Sequence, residues 1–210
     1  NGVDFLRLRE PVAEWYRACL DGEKKRHGTA AYLLHEMAAA HGLAAAREVV
    51  EGKEKEVVEV LARAEPVALG QRRRRELMDA LVTSPDALLR AVALGARCGS
   101  RGVLESAIRR FDRVAVEERL GRDPLAMAIE HQHRDCWEFL LRDWVWPDGR
   151  GVTTKGAICA AVRTGEDDCL RRLLVRRDAD PAEFDRALRM AAREGTEHHG
   201  RAVNAQRQVG

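Results

Sequence analysis

Aromatic residues are scarce: four Trp, two Tyr and four Phe make up 5 % of the 210 residues. A core in this chain must therefore be built mainly from Leu, Val and Ala, which a hydrophobic content of 45 % supplies. Runs of β-branched and aromatic residues are also missing, which points to helices rather than sheets. Neither sign of charge is in excess. With 36 basic against 34 acidic residues and a net charge of +2, the chain lacks the basic surplus of a general polyanion binder. No apolar run approaches the roughly 18 residues that mark a membrane span, so no insertion is expected. No signal peptide is visible, although the chain begins at Asn1 rather than Met and the missing leader carries little weight. Cysteines are few, odd in number and scattered (Cys19, Cys98, Cys136, Cys159, Cys169), which argues for reduced thiols in a cytoplasmic or nuclear protein.

Catalytic signatures are missing too. There is no G-x-S-x-G, no glycine loop to cradle phosphate and no H-E-x-x-H. The acid pairs Glu117-Glu118 and Asp167-Asp168 read as solvated turns. No enzymatic activity, cofactor, metal or small-molecule substrate is expected.

What is present is dominated by Ala, Leu, Arg and Glu, all good helix formers. In the second half these residues recur with a period. At a shift of 33, Leu125 meets Ile158, Ala128 meets Ala161, Cys136 meets Cys169, Trp137 meets Leu170, and Leu140-Leu141 meets Leu173-Leu174. One step back, Val103-Leu104 and Ala107-Ile108 fall on the same apolar positions, and Gly99, Gln132 and Gly165 share one register. Such a period marks a repeat. Small residues (Gly95, Ala128, Ala161) let a short first helix approach its neighbour. A turn residue then admits the left-handed conformation that closes helices. The second helix carries apolar residues at i, i+1, i+4 and i+5, so each helix pair needs the next to cover it.

These residues resemble the ankyrin repeat, whose hallmark is G-x-T-P-L-H-x-A-A, then G-H, V-V-x-x-L-L and G-A-D-P. Gly121 to Ala128 (G-R-D-P-L-A-M-A) is similar to the first element, Gln132-His133 to the Gly-His, and Asp178-Ala179-Asp180-Pro181 to the last. Asp123 and Gly156 replace the Thr, and Ala126 and Cys159 the His, which is expected to weaken the polar network at the start of each first helix. Phe184 to Gly195 resembles the first helix of a further repeat. The resemblance implies an all-α, stacked helix-turn-helix solenoid of ankyrin type with a less regular helical N-terminal part. Residues 1–85 form a helical region of diverged repeats or a cap; residues 86–210 hold degenerate repeats at about 86–118, 119–152, 153–181 and, in part, 182–210.

The first half shows no clean repeat. Pro11 suits a helix with Trp15, Tyr16, Cys19 and Leu20 on one stripe. Thr29 is the expected cap of a second helix closed by His41-Gly42. A third runs from Leu43 to Val50, a fourth from Glu54 to Ala64, and a fifth from Arg75 to Val82, stopped by Ser84-Pro85. His131-x-His133-x-x-Cys136 has some look of a metal cluster, but the register places Cys136 at a core position, where it acts as a small hydrophobe. His198-His199 reads as part of a frayed end.

The ankyrin resemblance implies a protein-interaction scaffold whose partner docks on the concave face. Carried over by register, the partner-facing positions are Arg97-Cys98, Glu130-His131, Arg163-Thr164 and Arg193-Glu194, with Arg119, Arg122, Lys155 and Asp185 in the preceding loops. Basic residues recur there, so an acidic or phosphorylated protein segment is the expected partner, held by bidentate arginines. Trp144 and Trp146 join the set because tryptophan is an interface hot-spot residue; at least one of them is expected to be buried. The alternative is a structural helical-repeat subunit of a large assembly, touching nucleic acid through the basic run Arg72 to Arg75.

Overall fold

Helix α5 (Pro85–Cys98) shows how the sequence punctuates this fold. Pro85 occupies the first turn, where its missing N–H costs nothing. The Ser84 hydroxyl accepts the Ala87 N–H at 3.4 Å, and Gly99 (φ 72°) ends the helix in the left-handed region. The computed structural model describes residues 9–21, 26–65, 67–110, 119–121, 123–144, 156–174 and 181–194. Among them every regular element is helical. The chain divides into two compact units, residues 1–112 and 113–210.

In the first unit, α1 (Arg9–Asp21) packs on α2 (His27–Val50), around a cluster of Ala13, Leu33 and Met37. The helix α2 is two helices joined at Gly42, whose φ of 82° and ψ of 163° break the spiral. It begins at His27 with Arg26 at the cap and no side-chain cap bond, so Thr29 lies inside the helix and does not start it. The chain continues through α3 (Glu54–Arg63), α4 (Gln71–Leu81), α5 and α6 (Arg101–Arg109). Helix α4 starts four residues before the expected Arg75, because Gly70 is extended and Gln71 to Arg74 already follow the helical path.

Helices α3/α4 and α5/α6 are hairpins laid side by side. First helix α3 packs on first helix α5, and second helix α4 on second helix α6. Polar ties cross this seam at matching positions. The Glu54 carboxylate accepts the Ser84 N–H at 2.7 Å and the Thr83 hydroxyl at 2.9 Å. The Gln71 amide oxygen accepts the Gly102 N–H at 2.9 Å, and the Ser106 hydroxyl donates to Asp79 at 2.6 Å. Arg110 donates to the Val82 and Met78 carbonyls at 2.5 and 3.1 Å. Apolar burial dominates the energetics: Val103, Leu104, Val57, Val58 and Leu61 are sealed from solvent, the larger side chains contributing about 1.5–3 kcal/mol each. Exposed ion pairs such as Arg90–Glu59 (3.1 Å) add roughly 0–1 kcal/mol.

In the second unit, α7 (Pro124–Glu130) and α8 (Arg134–Phe139) form a hairpin, and α8 runs on as a π turn over Leu140–Trp144. Helices α9 (Ala157–Thr164) and α10 (Asp167–Leu174) form the next, followed by α11 (Pro181–Glu194). First helix α9 packs on α7 on one side and on α11 on the other. Ala128 and Ala161 are fully buried, as close approach of short first helices requires. The buried residues Cys136, Trp137, Leu140 and Cys169, Leu170, Leu173 form the inner faces of α8 and α10.

Candidate functional site

The turn between first and second helix has one conformation in all three aligned copies. Gly99 (φ 72°), Gln132 (φ 57°) and Gly165 (φ 74°) are all left-handed, and Gln132 is the non-glycine residue that adopts it. Residues just before this turn end the first helices, and the interaction face was expected there. Arg97, His131, Arg163 and Arg193 are exposed; Cys98, Glu130 and Thr164 are half-buried. Arg119 is exposed and Asp185 half-buried. Arg122, Trp146, Lys155 and the Trp144 side chain lie outside the described residues, and with them the expectation of a buried tryptophan.

Not all of these groups are available to a partner. Arg163 donates to the Glu130 carboxylate at 2.6 Å, a pair formed across 33 residues between the ends of α9 and α7. The Thr164 hydroxyl donates back to the Ala160 carbonyl at 2.9 Å and is satisfied within its own helix. Helices α7 and α9 also offer little side surface: Pro124 to Ile129 and Ala157 to Val162 are all buried. Exposed residues recur along α11.

The run Arg72 to Arg75 is not one basic patch. Arg74 is 2 % exposed. Its guanidinium donates to the Leu69 carbonyl at 2.7 Å, the Ala64 carbonyl at 2.6 Å and the Ser100 hydroxyl at 3.2 Å. It thereby ties the loop before α4 to the turn before α6, and cannot reach phosphate. Arg75 pairs with Glu105 at 3.2 Å and Arg72 with Glu76 at 2.9 Å. The helical period explains the split, since four consecutive positions cannot share one face.

The starts of the first helices keep polar caps despite their departures from the ankyrin pattern. Asp123 accepts the Leu125 N–H at 2.8 Å. At α9 the cap comes from another element: the buried Glu183 carboxylate on α11 accepts the N–H groups of Gly156 and Ile158, both at 2.9 Å. A carboxylate at a helix N-terminus also meets the positive end of its dipole. Sequence reasoning missed both Arg74 and Glu183. A charged residue inside an otherwise apolar stripe was the available signal for each: Arg74 precedes Leu77-Met78, and Glu183 precedes Phe184 and Ala187.

The shifted ionisable groups have structural causes. Burial pushes the Cys169 thiol up to about 12 and raises Cys159 and Cys98 as well. Burial also raises the Tyr16 hydroxyl and lowers Arg74 and Arg110. A thiol held protonated is a poor nucleophile and a poor metal ligand. The His131 and His133 rings stack at 6.3 Å while Cys136 points into the core. No group of three His, Cys, Asp or Glu among the described residues is placed to hold a metal ion. No described helix is long and apolar enough to cross a membrane. Comparison with family models found no match, and comparisons with curated proteins and with solved structures found no significant one.

Proposed function

We propose that the chain is a non-catalytic protein-binding scaffold of ankyrin-like helix hairpins, recognising its partner with the exposed ends of its first helices. The observation that carries this reading is the left-handed turn at residues 99, 132 and 165. It recurs at the 33-residue step, with first helix packed on first helix within each unit. Helix pairs of this kind spend their apolar residues on one another. Specificity is then left to the charged and polar residues at the turns. Arg97, His131 and Arg193 are exposed members of that set.

Selection of a displayed peptide library on the full chain, followed by calorimetry of the selected peptide, tests this. The expected result is saturable binding that an Arg97→Glu, His131→Glu, Arg193→Glu variant loses while retaining its helical circular dichroism. Absence of any saturable binder, or binding indifferent to all three substitutions, would overturn the reading.

A further inference from the structure

Arginines elsewhere in the chain commonly have an acidic partner: Arg63 and Arg90 share Glu59, Arg109 meets Glu105, Arg134 meets Glu138 and Asp168, and Arg163 meets Glu130. Helix α11 departs from this pattern. Arg186, Arg189 and Arg193 are exposed and make no hydrogen bond or ion pair among the described residues. Their spacing of i, i+3 and i+7 gathers them within an arc of about 60° on the helix. Phe184, Ala187 and Ala191 occupy the buried side. With Met190, the three arginines border a recess of about 240 Å³. That is below the roughly 300–1,000 Å³ of drug-sized ligand sites.

We infer that the Arg186, Arg189 and Arg193 face of α11 docks an extended acidic segment of a partner protein. The inference rests on the binding-scaffold reading and moves its charge recognition from Arg163, which Glu130 already neutralises, to α11. Three guanidiniums spread over about 10 Å of helix suit side chains on one face of a strand, which recur about every 7 Å. Arginine holds a carboxylate through two parallel N–H bonds, and Met190 supplies an adaptable apolar floor. Nucleic acid is a poorer match, because the chain is balanced in charge at 36 basic to 34 acidic residues.

The test is fluorescence anisotropy of a labelled hexaglutamate peptide titrated with the full chain at about 0.1 M salt, where charges beyond ~10 Å are already screened. An Arg186→Gln, Arg189→Gln, Arg193→Gln variant removes the stripe and keeps helix propensity. An Arg17→Gln, Arg72→Gln, Arg73→Gln variant removes equal charge elsewhere, at exposed positions. The expected result is saturable binding weakened roughly tenfold or more by the first variant and less than about twofold by the second. Equal weakening by both, no binding to the unaltered chain, or displacement of the peptide by sub-stoichiometric polyuridylate overturns the inference. The scaffold reading is decided separately: a display-selected peptide that still binds the α11 variant sinks the stripe and leaves that reading standing.

Discussion

Replacing Arg74 with Met probes the most unusual feature of the first unit, a buried guanidinium with no carboxylate partner among the described residues. Its three hydrogen bonds, at 2.6, 2.7 and 3.2 Å, run to two loop carbonyls and the Ser100 hydroxyl. Hydrogen bonds from a charged donor contribute about 1.5–3 kcal/mol each. Arg74 also incurs a desolvation cost, visible in its lowered pKa, which offsets part of that sum. Methionine keeps much of the apolar stem, so packing is largely retained. The freed carbonyls belong to Ala64 and Leu69, both buried, and would lose their hydrogen-bond donor. The net loss for Arg74→Met is therefore about 2–3 kcal/mol, well above the ±0.5 kcal/mol or so typical of surface changes. The neighbouring Arg73 is exposed, and Arg73→Met is the matched control. Urea unfolding followed by circular dichroism and tryptophan fluorescence measures both. Limited proteolysis provides a second readout, with cleavage at residues 65–70 appearing in the Arg74 variant alone. An Arg74→Met protein that unfolds at the same urea concentration as the Arg73→Met control would refute the staple.

Three further outcomes follow from the packing. A Cβ on Gly102 would collide with the Gln71 carbonyl oxygen, and that contact is backbone that cannot rotate away; Gly102→Ala should cost about 1–3 kcal/mol in urea unfolding despite alanine's better helix propensity. Gln132 holds the left-handed turn that glycine takes at positions 99 and 165, so Gln132→Gly should stabilise the second unit by about 0.5–1 kcal/mol in thermal unfolding. Burial alone would raise the Glu54 carboxyl, but hydrogen bonds from Ser84 and Thr83 outweigh it and hold the group below its usual range. Its contribution is complete above the ordinary carboxylate value of about 4.3. It is lost as pH falls through the lower folded value, so Glu54→Gln should flatten the acid limb of stability against pH.

The second half was readable in the sequence because its step is constant. Shifting by 33 aligned Cys136 with Cys169 and Trp137 with Leu170, and these side chains are all buried. The first half hid its hairpins for the opposite reason. First helices there begin at residues 27, 54 and 85, an uneven step, and their turns do not share one glycine register. Gly42 breaks α2 where His41-Gly42 was expected to end a helix, and the helix expected from Leu43 to Val50 follows it. Charge was the least legible property. Four consecutive arginines looked like one patch, but the helical period divides them between solvent, an ion pair and the core. Arg163 looked free because its partner, Glu130, lies 33 residues away and meets it only once the first helices stack.

Hydrogen exchange with and without a saturating display-selected partner tests the central claim most directly. The account predicts added protection at the ends of the first helices, residues 97–98, 130–131 and 163–164, and along 186–193. Protection confined to the second helices, Arg101–Arg109 and Arg134–Phe139, would contradict it.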